Sequence, residues 1–331
     1  MRAGRRRGGR RAGSPGPRRG RARGPRPDGA QLTRPSNPAV AFPDHLRTDI
    51  ETYLGGLRFS DEADTDGLEE AMRYSLLAGG KRIRPVLALA TAHAVGMPTE
   101  HVLPLAAALE LIHTYSLIHD DLPAMDDDSL RRGRPTCHVR YGEAIAILAG
   151  DALYAEAMRL VLTEQRGEPD RVLAALAELT TASGVRGMVG GQFIDIQGLE
   201  NAGEEKLRRL HELKTGRLIG AAIECPLLLA DETVRSTTLA DFRAFASELG
   251  VLFQIVDDIL DVTGTDVALG KPQGSDERHG KVTYVSRYGL DGARAMAEES
   301  HRNARAALDR AAPDSADELR QITDFIATRT S

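Results

Sequence analysis

Residues 103–128 read LPLAAALELIHTYSLIHDDLPAMDDD. Segment 103–119 is apolar over most of the circumference of a helix, and segment 142–162 further along the chain has the same character. A helix that is apolar all round is buried inside a protein rather than laid on its surface. The sequence therefore predicts two central helices, the first of which runs directly into a group of aspartates.

The chain after Pro43 is helical in character throughout. Stretches rich in Ala, Leu, Glu and Arg follow one another, without the alternating β-branched runs that are typical of strands. We predict an all-α fold, a single large helical bundle with helices of about 10–25 residues. The predicted breaks between helices lie at Gly79-Gly80, Gly96-Met97-Pro98, Gly133-Arg134-Pro135, Gly167-Glu168-Pro169, Gly191, Asn201-Ala202-Gly203, Gly264 to Gly274, Gly289 and Pro313.

The first 36 residues differ from everything that follows. They hold twelve Arg and one Asp among Gly and Pro, and contribute +11 to a chain whose net charge is −5, so the remainder carries −16. Such a composition cannot bury enough apolar surface to offset the entropy of ordering. We predict a disordered extension over 1–36 and a folded domain over 37–331. An inert start, an arm for nucleic acid or an anionic surface, and an organelle transit peptide all stay open for the extension.

Composition excludes several classes of protein. Only two cysteines occur, Cys137 and Cys225, which excludes a disulfide framework and a four-thiolate zinc site and favours a cytoplasmic location. No apolar h-region follows the N-terminal arginines, as a secretory signal requires. We find no apolar run of about 18 residues, so we expect no membrane insertion. The acidic body argues against nucleic-acid binding.

Two acidic segments carry the strongest chemical signal. The first acidic segment, residues 118–128, holds five aspartates within nine residues. The second acidic segment, residues 253–261, holds Asp257, Asp258 and Asp261, of which the first and last share a helix face. Like charges four residues apart in an apolar helix repel each other unless a cation lies between them. Either segment alone would be typical of a solvated helix end, but the two together predict Mg²⁺ ions that hold a diphosphate.

Basic residues near these segments supply the complementary charge. Lys81 and Arg84 follow Gly79-Gly80 and lie three apart, so both can face one phosphate if a helix starts there. Further basic residues near the acidic segments are Arg131, Arg132, Lys214, Lys271 and Lys281. Together they predict two anion subsites, one reached through metal and one bound directly by Arg and Lys.

Taken in order, these motifs resemble those of the bacterial-type farnesyl and other short-chain trans-prenyl diphosphate synthases. The match runs from about Pro43 to the C-terminus. The matching motifs are GGKRIRP at 79–85, the aspartates and RRG at 120–133, GGQ at 190–192, KTG at 214–216, the second acidic segment and GK at 270–271. The resemblance implies a helical bundle of the isoprenoid synthase type around a central active-site cavity, small-molecule substrates and a homodimer.

The same resemblance implies a role for each motif. Isopentenyl diphosphate would bind Lys81, Arg84, His113 and Arg132. The allylic diphosphate would bind Arg131, Lys214 and Lys271. A cluster of Mg²⁺, expected to number three, would be held on that diphosphate by Asp120, Asp121, Asp126, Asp257, Asp258 and Asp261. Thr215 and Gln254 would lie near the developing carbocation, and the residues expected to act in catalysis are Lys214, Thr215, Gln254 and Lys271. His113 has the alternative of a hydrogen-bonded core histidine, and no motif role attaches to His119.

The implied reaction is an ionisation followed by a condensation. Metal ions and cationic side chains would stabilise the departing diphosphate, and the alkene of isopentenyl diphosphate would attack the allylic cation. Loss of a proton, with the departed diphosphate as the base, would restore a double bond. No protein residue is needed as the general base.

Product length is expected to depend on the residues below the first acidic segment. Tyr115 and Ser116 lie five and four residues before Asp120, about 6–7.5 Å deeper on a helix. Helical geometry brings Ser116 close to the azimuth of Asp120 and Tyr115 to its flank, so geometry alone does not choose between them. The resemblance makes Tyr115 the floor and, with the two extra residues within 122–125, predicts farnesyl diphosphate. Geranylgeranyl diphosphate is the alternative product, and a core aromatic is the alternative role of Tyr115.

Two other classes share parts of this pattern. A terpene cyclase would have an acidic motif but no need of the isopentenyl site formed by Lys81, Arg84 and Arg132. A non-catalytic subunit of a heteromeric synthase would be expected to have degraded acidic motifs, and both are intact here. We therefore expect a Mg²⁺-dependent enzyme.

Overall fold

The computed structural model describes residues 42–198, 204–264 and 282–329. In these residues the helices are α1 Asp44–Gly56, α2 Asp66–Leu76, α3 Ile83–Ala94, α4 Leu103–Asp120, α5 Cys137–Tyr141, α6 Glu143–Glu164, α7 Pro169–Ser183, α8 Met188–Ile196, α9 Glu204–His211, α10 Arg217–Leu229, α11 Glu232–Thr263, α12 Tyr284–Ala311 and α13 Asp317–Thr328. A π-helical turn, Glu212–Gly216, joins α9 to α10, and short 3₁₀ helices span Ala63–Thr65 and Thr99–His101. Two short antiparallel strands, β1 Leu130–Arg131 and β2 Arg134–Pro135, follow the first acidic segment. The prediction of an all-α fold is confirmed.

The central helices are those that the sequence marked as apolar all round. In α4, Leu105, Leu109, Leu111 and Ile112 are fully buried, and this helix packs against α3 and α6. Helix α6 is less enclosed than predicted, because Leu148 and other apolar side chains on its outer face are exposed. Helix α10 packs against α7, α3 and α11.

Most of the predicted breaks within the described residues coincide with the ends of helices, but two differ from the structure. Gly191 lies inside α8, so the prediction of a break there is wrong. Gly289 does not end α12 but kinks it, with a φ of 72° and a ψ of 166°. Helix α11 has 32 residues, longer than expected, and Gly250 lies inside it against Gly216 of the π-helical turn. The breaks predicted at 201–203 and beyond Gly264 lie outside the described residues.

One described stretch has the length and hydropathy of a membrane span. Pro169–Ile196 has a mean hydropathy of 1.2 in its most apolar window, of which 39% is buried inside the protein. The stretch is divided into α7 and α8 by the non-helical residues 184–187. The core helices of many proteins pass the same test of length and composition.

Both cysteines, Cys137 and Cys225, are buried and free. The predicted boundary between residues 36 and 37 lies outside the described residues and stays a prediction.

Candidate active site

The first acidic segment begins at the C-terminal end of α4 and continues in turns. Asp120 is the last residue of the helix, and the chain then folds back so that the backbone N–H of Asp126 donates to the Asp120 carbonyl at 2.9 Å. Asp127 adopts a left-handed φ of 52°, which tightens the turn. Asp120 and Asp126 are both half-buried. The turn therefore brings the two ends of the segment together at the end of a buried helix.

Asp121 is the buried aspartate of this segment. It is 3% exposed, and its carboxylate accepts hydrogen bonds from Arg131 Nε at 2.8 Å and Arg131 Nη2 at 2.5 Å. Burial raises the pKa of Asp121, although the Arg131 guanidinium acts in the opposite direction. The β1–β2 hairpin delivers Arg131 to this position. The structure thus brings together a predicted metal ligand and a predicted diphosphate ligand, each bonded to the other.

The second acidic segment lies wholly inside α11. Asp257 is 44% exposed at its side chain and forms a close ion pair with Arg329, whose guanidinium also stacks on the Phe253 ring at 4.3 Å. Asp261, one turn further along, is 5% exposed. Arg329 follows α13 near the end of the chain and was not expected in the site. A lone arginine of this kind carries no sequence signal that distinguishes it from a solvated one.

Asp258 has a different environment from its neighbour. It is 1% exposed, its Oδ1 accepts from Gln254 Nε2 at 2.8 Å, and its Oδ2 accepts from the backbone N–H of Tyr284 at 2.7 Å. Gln254 Oε1 in turn accepts from the Thr215 hydroxyl at 2.9 Å. Thr215 and Gln254, predicted to lie near the carbocation, are therefore adjacent, and Asp258 anchors them to the start of α12.

Lys214 lies in the π-helical turn beside Thr215. Its Nζ is 2.6 Å from Asp195 Oδ2 on α8, and this carboxylate is 15% exposed. Helix α8 can approach closely because Gly191 faces the Lys214 backbone, where an added Cβ would lie 2.2 Å from the amide nitrogen. Asp195 was missed by the sequence analysis. The signal for it was available, since it follows the GGQ motif by three residues on the same helix.

The cationic side of the site is formed by α3, α4 and the hairpin. Arg84, His113 and Arg132 influence one another there: burial lowers the pKa of His113 well below its ordinary value, and the charges of the two guanidinium groups lower it further. Burial also lowers the pKa of Arg84 and of Arg132. The Arg84 Nε is buried and has no hydrogen-bond partner within the described residues. His113 is therefore held neutral beside two guanidinium groups.

Other residues shape this cationic side. Helix α3 begins at Ile83, so Lys81 precedes the helix rather than sharing a face with Arg84 as expected; it is exposed and lies 4.9 Å from the Phe325 ring. Arg82 is 3% exposed and bonded to Glu51 at 2.7 Å and to Glu110 at 2.6 Å. It therefore serves the fold rather than the site. A single Glu within the apolar segment 103–119 was the available signal for this buried pair.

The residues beneath Asp120 form an aromatic cluster between α4 and α6. Tyr115 is 8% exposed, and its ring meets Tyr154 of α6 edge-on at 5.2 Å and His119 at 5.8 Å. Burial, Tyr154 and Asp120 all raise the pKa of Tyr115. Ser116 donates to the backbone carbonyl of His113 at 2.9 Å. His119 donates to the Ile147 carbonyl at 3.1 Å, in keeping with a packing role.

The acidic segments do not form a closed metal cage. Among the described residues, no three His, Cys, Asp or Glu side chains converge as a ready-made metal site. This arrangement fits Mg²⁺, which is commonly bound by one or two carboxylates and completed by water and substrate phosphates. The hard oxygen donors of the half-exposed Asp120, Asp126 and Asp257 suit that ion. Lys271 and Lys281 lie outside the described residues, and their roles stay predictions.

A cavity of about 590 Å³ lies elsewhere, between α7, α10 and α11. Its charged lining includes Glu178 and Arg217, which pair at 2.8 Å, and Glu224 and Arg243, which form a second close pair. None of the predicted site residues that the structure describes lines it. Because its charges neutralise each other, this cavity is not suited to a diphosphate.

Comparison with known proteins gives the family. The model of the polyprenyl synthetase family matches residues 65–326. The chain belongs to this family. A farnesyl diphosphate synthase of Escherichia coli (strain K12) is 46% identical over 266 residues, which cover 78% of this chain and 88% of that protein. A chloroplastic geranylgeranyl pyrophosphate synthase of Capsicum annuum is 44% identical over 265 residues, covering 79% and 71%.

Solved structures of the family have the same fold. A geranyltransferase of Helicobacter pylori, complexed with magnesium and isoprenyl diphosphate, superposes with a TM-score of 0.77 at 32% identity and covers 88% of this chain and 98% of its own. The resemblance stated from the motifs is confirmed. The protein is thus a prenyltransferase of the polyprenyl synthetase family. Relatives that make different products are similarly close, so the family alone does not fix the product length.

Proposed function

We propose that the protein condenses isopentenyl diphosphate with dimethylallyl or geranyl diphosphate to give (2E,6E)-farnesyl diphosphate. One observation carries the proposal. The Arg84 Nε is buried and has no hydrogen-bond partner in the described part of the chain, and the charges of Arg84 and Arg132 both lower the pKa of His113. A guanidinium group with a buried, unpartnered N–H is stabilised by an anion with several oxygens, which a diphosphate supplies.

The acidic segments are proposed to bind Mg²⁺ opposite this cationic side. Asp120, Asp126, Asp257 and Asp261 would hold the ions. Asp121 and Asp258 were predicted as ligands too, but their carboxylates accept hydrogen bonds from the protein. When bound, Mg²⁺ would act as a Lewis acid on the departing diphosphate. Among the protein's own residues, Lys214 would bind an oxygen of the allylic diphosphate after leaving Asp195, and Arg131 and Lys271 would bind the same group.

The remaining residues are proposed to orient the reaction. Arg84, Arg132, Lys81 and His113 would hold the diphosphate of isopentenyl diphosphate, so that its alkene faces the allylic carbon. Neutral His113 can donate a hydrogen bond without adding charge to two guanidinium groups. The departed diphosphate, held by the cations, would take the proton.

Product length is proposed to be fifteen carbons because Tyr115 closes the space below Asp120. Its contacts with Tyr154 and His119 fix the ring in a buried position, which supports a rigid floor. Geranylgeranyl diphosphate is the second candidate product, supported by the 44% identity to a synthase of that product. Under this second proposal Tyr115 would be a core aromatic only.

Assembly and location are proposed from the family. The apolar side chains of Val139, Ile147 and Leu148 are exposed on α5 and α6, and their burial would favour a homodimer. We propose a cytoplasmic protein without membrane insertion and without a nucleic-acid partner.

Mass spectrometry of the products tests the function. Purified protein is incubated with isopentenyl diphosphate, geranyl diphosphate and Mg²⁺, in parallel with Tyr115→Ala. Farnesyl diphosphate from the wild type and longer chains from the variant would support both the activity and the floor. An unchanged product profile in Tyr115→Ala would refute the floor. A wild-type product of twenty carbons would favour the second candidate, and no product from folded protein would favour a non-catalytic subunit.

A further inference from the structure

Asp258 belongs to the second acidic segment but faces the protein rather than the site. Its side chain is 1% exposed, whereas that of the adjacent Asp257 is 44% exposed. Both of its oxygens accept hydrogen bonds, from Gln254 Nε2 at 2.8 Å and from the Tyr284 backbone N–H at 2.7 Å. A carboxylate so enclosed has its lone pairs directed at protein donors. The metal-binding role expected of Asp258 therefore competes with two hydrogen bonds already made.

These hydrogen bonds fix which groups of Gln254 and Thr215 donate and which accept. An ionised carboxylate only accepts, so Gln254 must turn its amide NH₂ toward Asp258. The Gln254 Oε1 must then point the other way, toward the Thr215 hydroxyl at 2.9 Å. Because an amide oxygen also only accepts, Thr215 must donate its single proton to it. The orientation of the Gln254 amide, which is usually ambiguous, is thus decided by chemistry.

We propose that Asp258 is a positioning residue that sets the polarity of this relay and thereby turns the lone pairs of Thr215 Oγ1 toward the reacting carbon. The inference rests on the proposed function, in which Thr215 lies beside the allylic cation. An oxygen whose proton is committed elsewhere presents its negative end to a developing positive charge and stabilises it. The reverse polarity would present the hydroxyl proton and oppose the charge.

The substitution Asp258→Asn tests this polarity without changing the shape of the side chain. The Tyr284 N–H requires the Asn oxygen on its side, so the Asn NH₂ faces Gln254. Gln254 must then rotate its amide by half a turn and donate to Thr215, whose proton turns toward the site. We expect kcat to fall by about 10- to 100-fold. Mn²⁺ binding in the presence of inorganic pyrophosphate, measured by electron paramagnetic resonance, should stay within about twofold of wild type.

Two further variants separate positioning from metal binding. Asp257→Asn is the matched control, and it should weaken Mn²⁺ binding by about tenfold or more because it removes a half-exposed ligand. Gln254→Glu combined with Asp258→Asn should recover most of the lost kcat. In that double variant the Glu carboxylate accepts both from the Asn NH₂ and from the Thr215 hydroxyl, which restores the original direction.

Several outcomes would overturn the proposal. Mn²⁺ binding lost as severely in Asp258→Asn as in Asp257→Asn would make Asp258 a ligand. Unchanged kcat in Asp258→Asn, or no recovery in the double variant, would exclude the relay. The ¹⁵N resonance of the Gln254 side chain in glutamine-labelled protein reports the rotation independently of activity. A wild type that makes no prenyl product would therefore refute the proposed function, whereas an unmoved Gln254 resonance in Asp258→Asn would refute the relay itself.

Discussion

The two acidic segments contain the same pair of adjacent aspartates in different settings. In the first, the pair ends α4, and the aspartates that follow lie in turns. In the second, the pair lies inside α11, and the helix continues beyond it to Thr263. The first segment is fixed by local turns, whereas the second is fixed by partners from distant parts of the chain, namely Arg329 and Tyr284.

Each pair nevertheless divides its work in the same way. One aspartate is half-exposed, Asp120 or Asp257, and the next is buried and bonded to protein, Asp121 or Asp258. Adjacent residues on a helix lie about 100° apart, so one side chain of such a pair can face the site while the other faces the core. Two adjacent aspartates therefore have different roles, and the burial of each side chain decides which role it has.

The largest expected effect is a loss of activity when the half-exposed Asp120 is substituted, compared with the same substitution of Asp127 in the following turn. Asp120→Asn should lower kcat/KM by about 10²- to 10³-fold, because in the proposed function it removes a carboxylate that binds the departing diphosphate through Mg²⁺. Asp127→Asn is the control, since Asp127 is exposed and has no predicted role. Initial rates over a range of Mg²⁺ concentrations measure both. Equal losses in the two variants would show that the whole segment acts as a diffuse charge.

The buried aspartate of the first pair should affect stability as well as rate. Asp121→Ala leaves the Arg131 guanidinium, 30% exposed at its side chain, without its carboxylate. We expect a loss of about 2–4 kcal/mol in the free energy of unfolding, measured by urea denaturation. The same measurement on Asp120→Asn should change by less than about 1 kcal/mol, because that side chain is half-exposed. Similar losses would abolish the distinction between the two members of the pair.

Much of this architecture was predictable from local sequence. The apolar circumference of segment 103–119 predicted α4, and the four-residue spacing of Asp257 and Asp261 placed them on one face of a helix. Helical periodicity and turn residues are local signals, and they were sufficient for elements whose ends depend on nearby chain. Gly191 was misread because a glycine can also mark a close approach of two helices, here α8 and Lys214.

The partners of the site residues could not be predicted in this way. Asp257 meets a residue 72 positions away, and Asp258 meets a backbone amide 26 positions away across a segment that lies outside the described residues. Such contacts depend on the packing of α11 against α12 and α13, for which the composition of either helix gives no register. Charge and motif spacing thus located the carboxylates, and only packing reveals which of their oxygens are already engaged.

The ion pair between Asp257 and Arg329 should make the second segment bind metal less tightly than its exposure suggests. Arg329→Gln removes the competing cation, and Mn²⁺ affinity in the presence of pyrophosphate should rise by about two- to tenfold. Arg320→Gln on α13 is the control, because Arg320 pairs with Asp309 and Asp317 instead. An unchanged affinity would mean that Arg329 stays on Asp257 without cost, or that Asp257 is not a ligand.

The smallest effect concerns how α13, which precedes Arg329, is held against α3. His93 donates from Nδ1 to Glu318 at 2.9 Å, and His45 bonds the other oxygen of Glu318 at 2.7 Å. The hydrogen bond to Glu318 raises the pKa of His93. Burial alone would raise the pKa of Glu318, but the hydrogen bonds and charges of His93 and His45 lower it overall.

These two shifts act at opposite ends of the pH scale. Because the pKa of His93 is raised in the folded protein, its ion pair stabilises the fold fully below the ordinary value of 6.5. This stabilisation is lost as pH rises through the folded-state pKa. Because the pKa of Glu318 is lowered in the folded protein, its ionised carboxylate stabilises the fold above 4.5. This stabilisation is lost as pH falls through the folded-state pKa. His93→Gln should therefore cost about 0.5–1 kcal/mol between pH 4.5 and 6.5 and progressively less at alkaline pH. Urea denaturation at a series of pH values measures this cost. Glu318→Gln is the comparison, because it should remove both the loss of stability at acidic pH and the loss at alkaline pH. A cost that is constant with pH would mean that His93 holds α13 by packing alone.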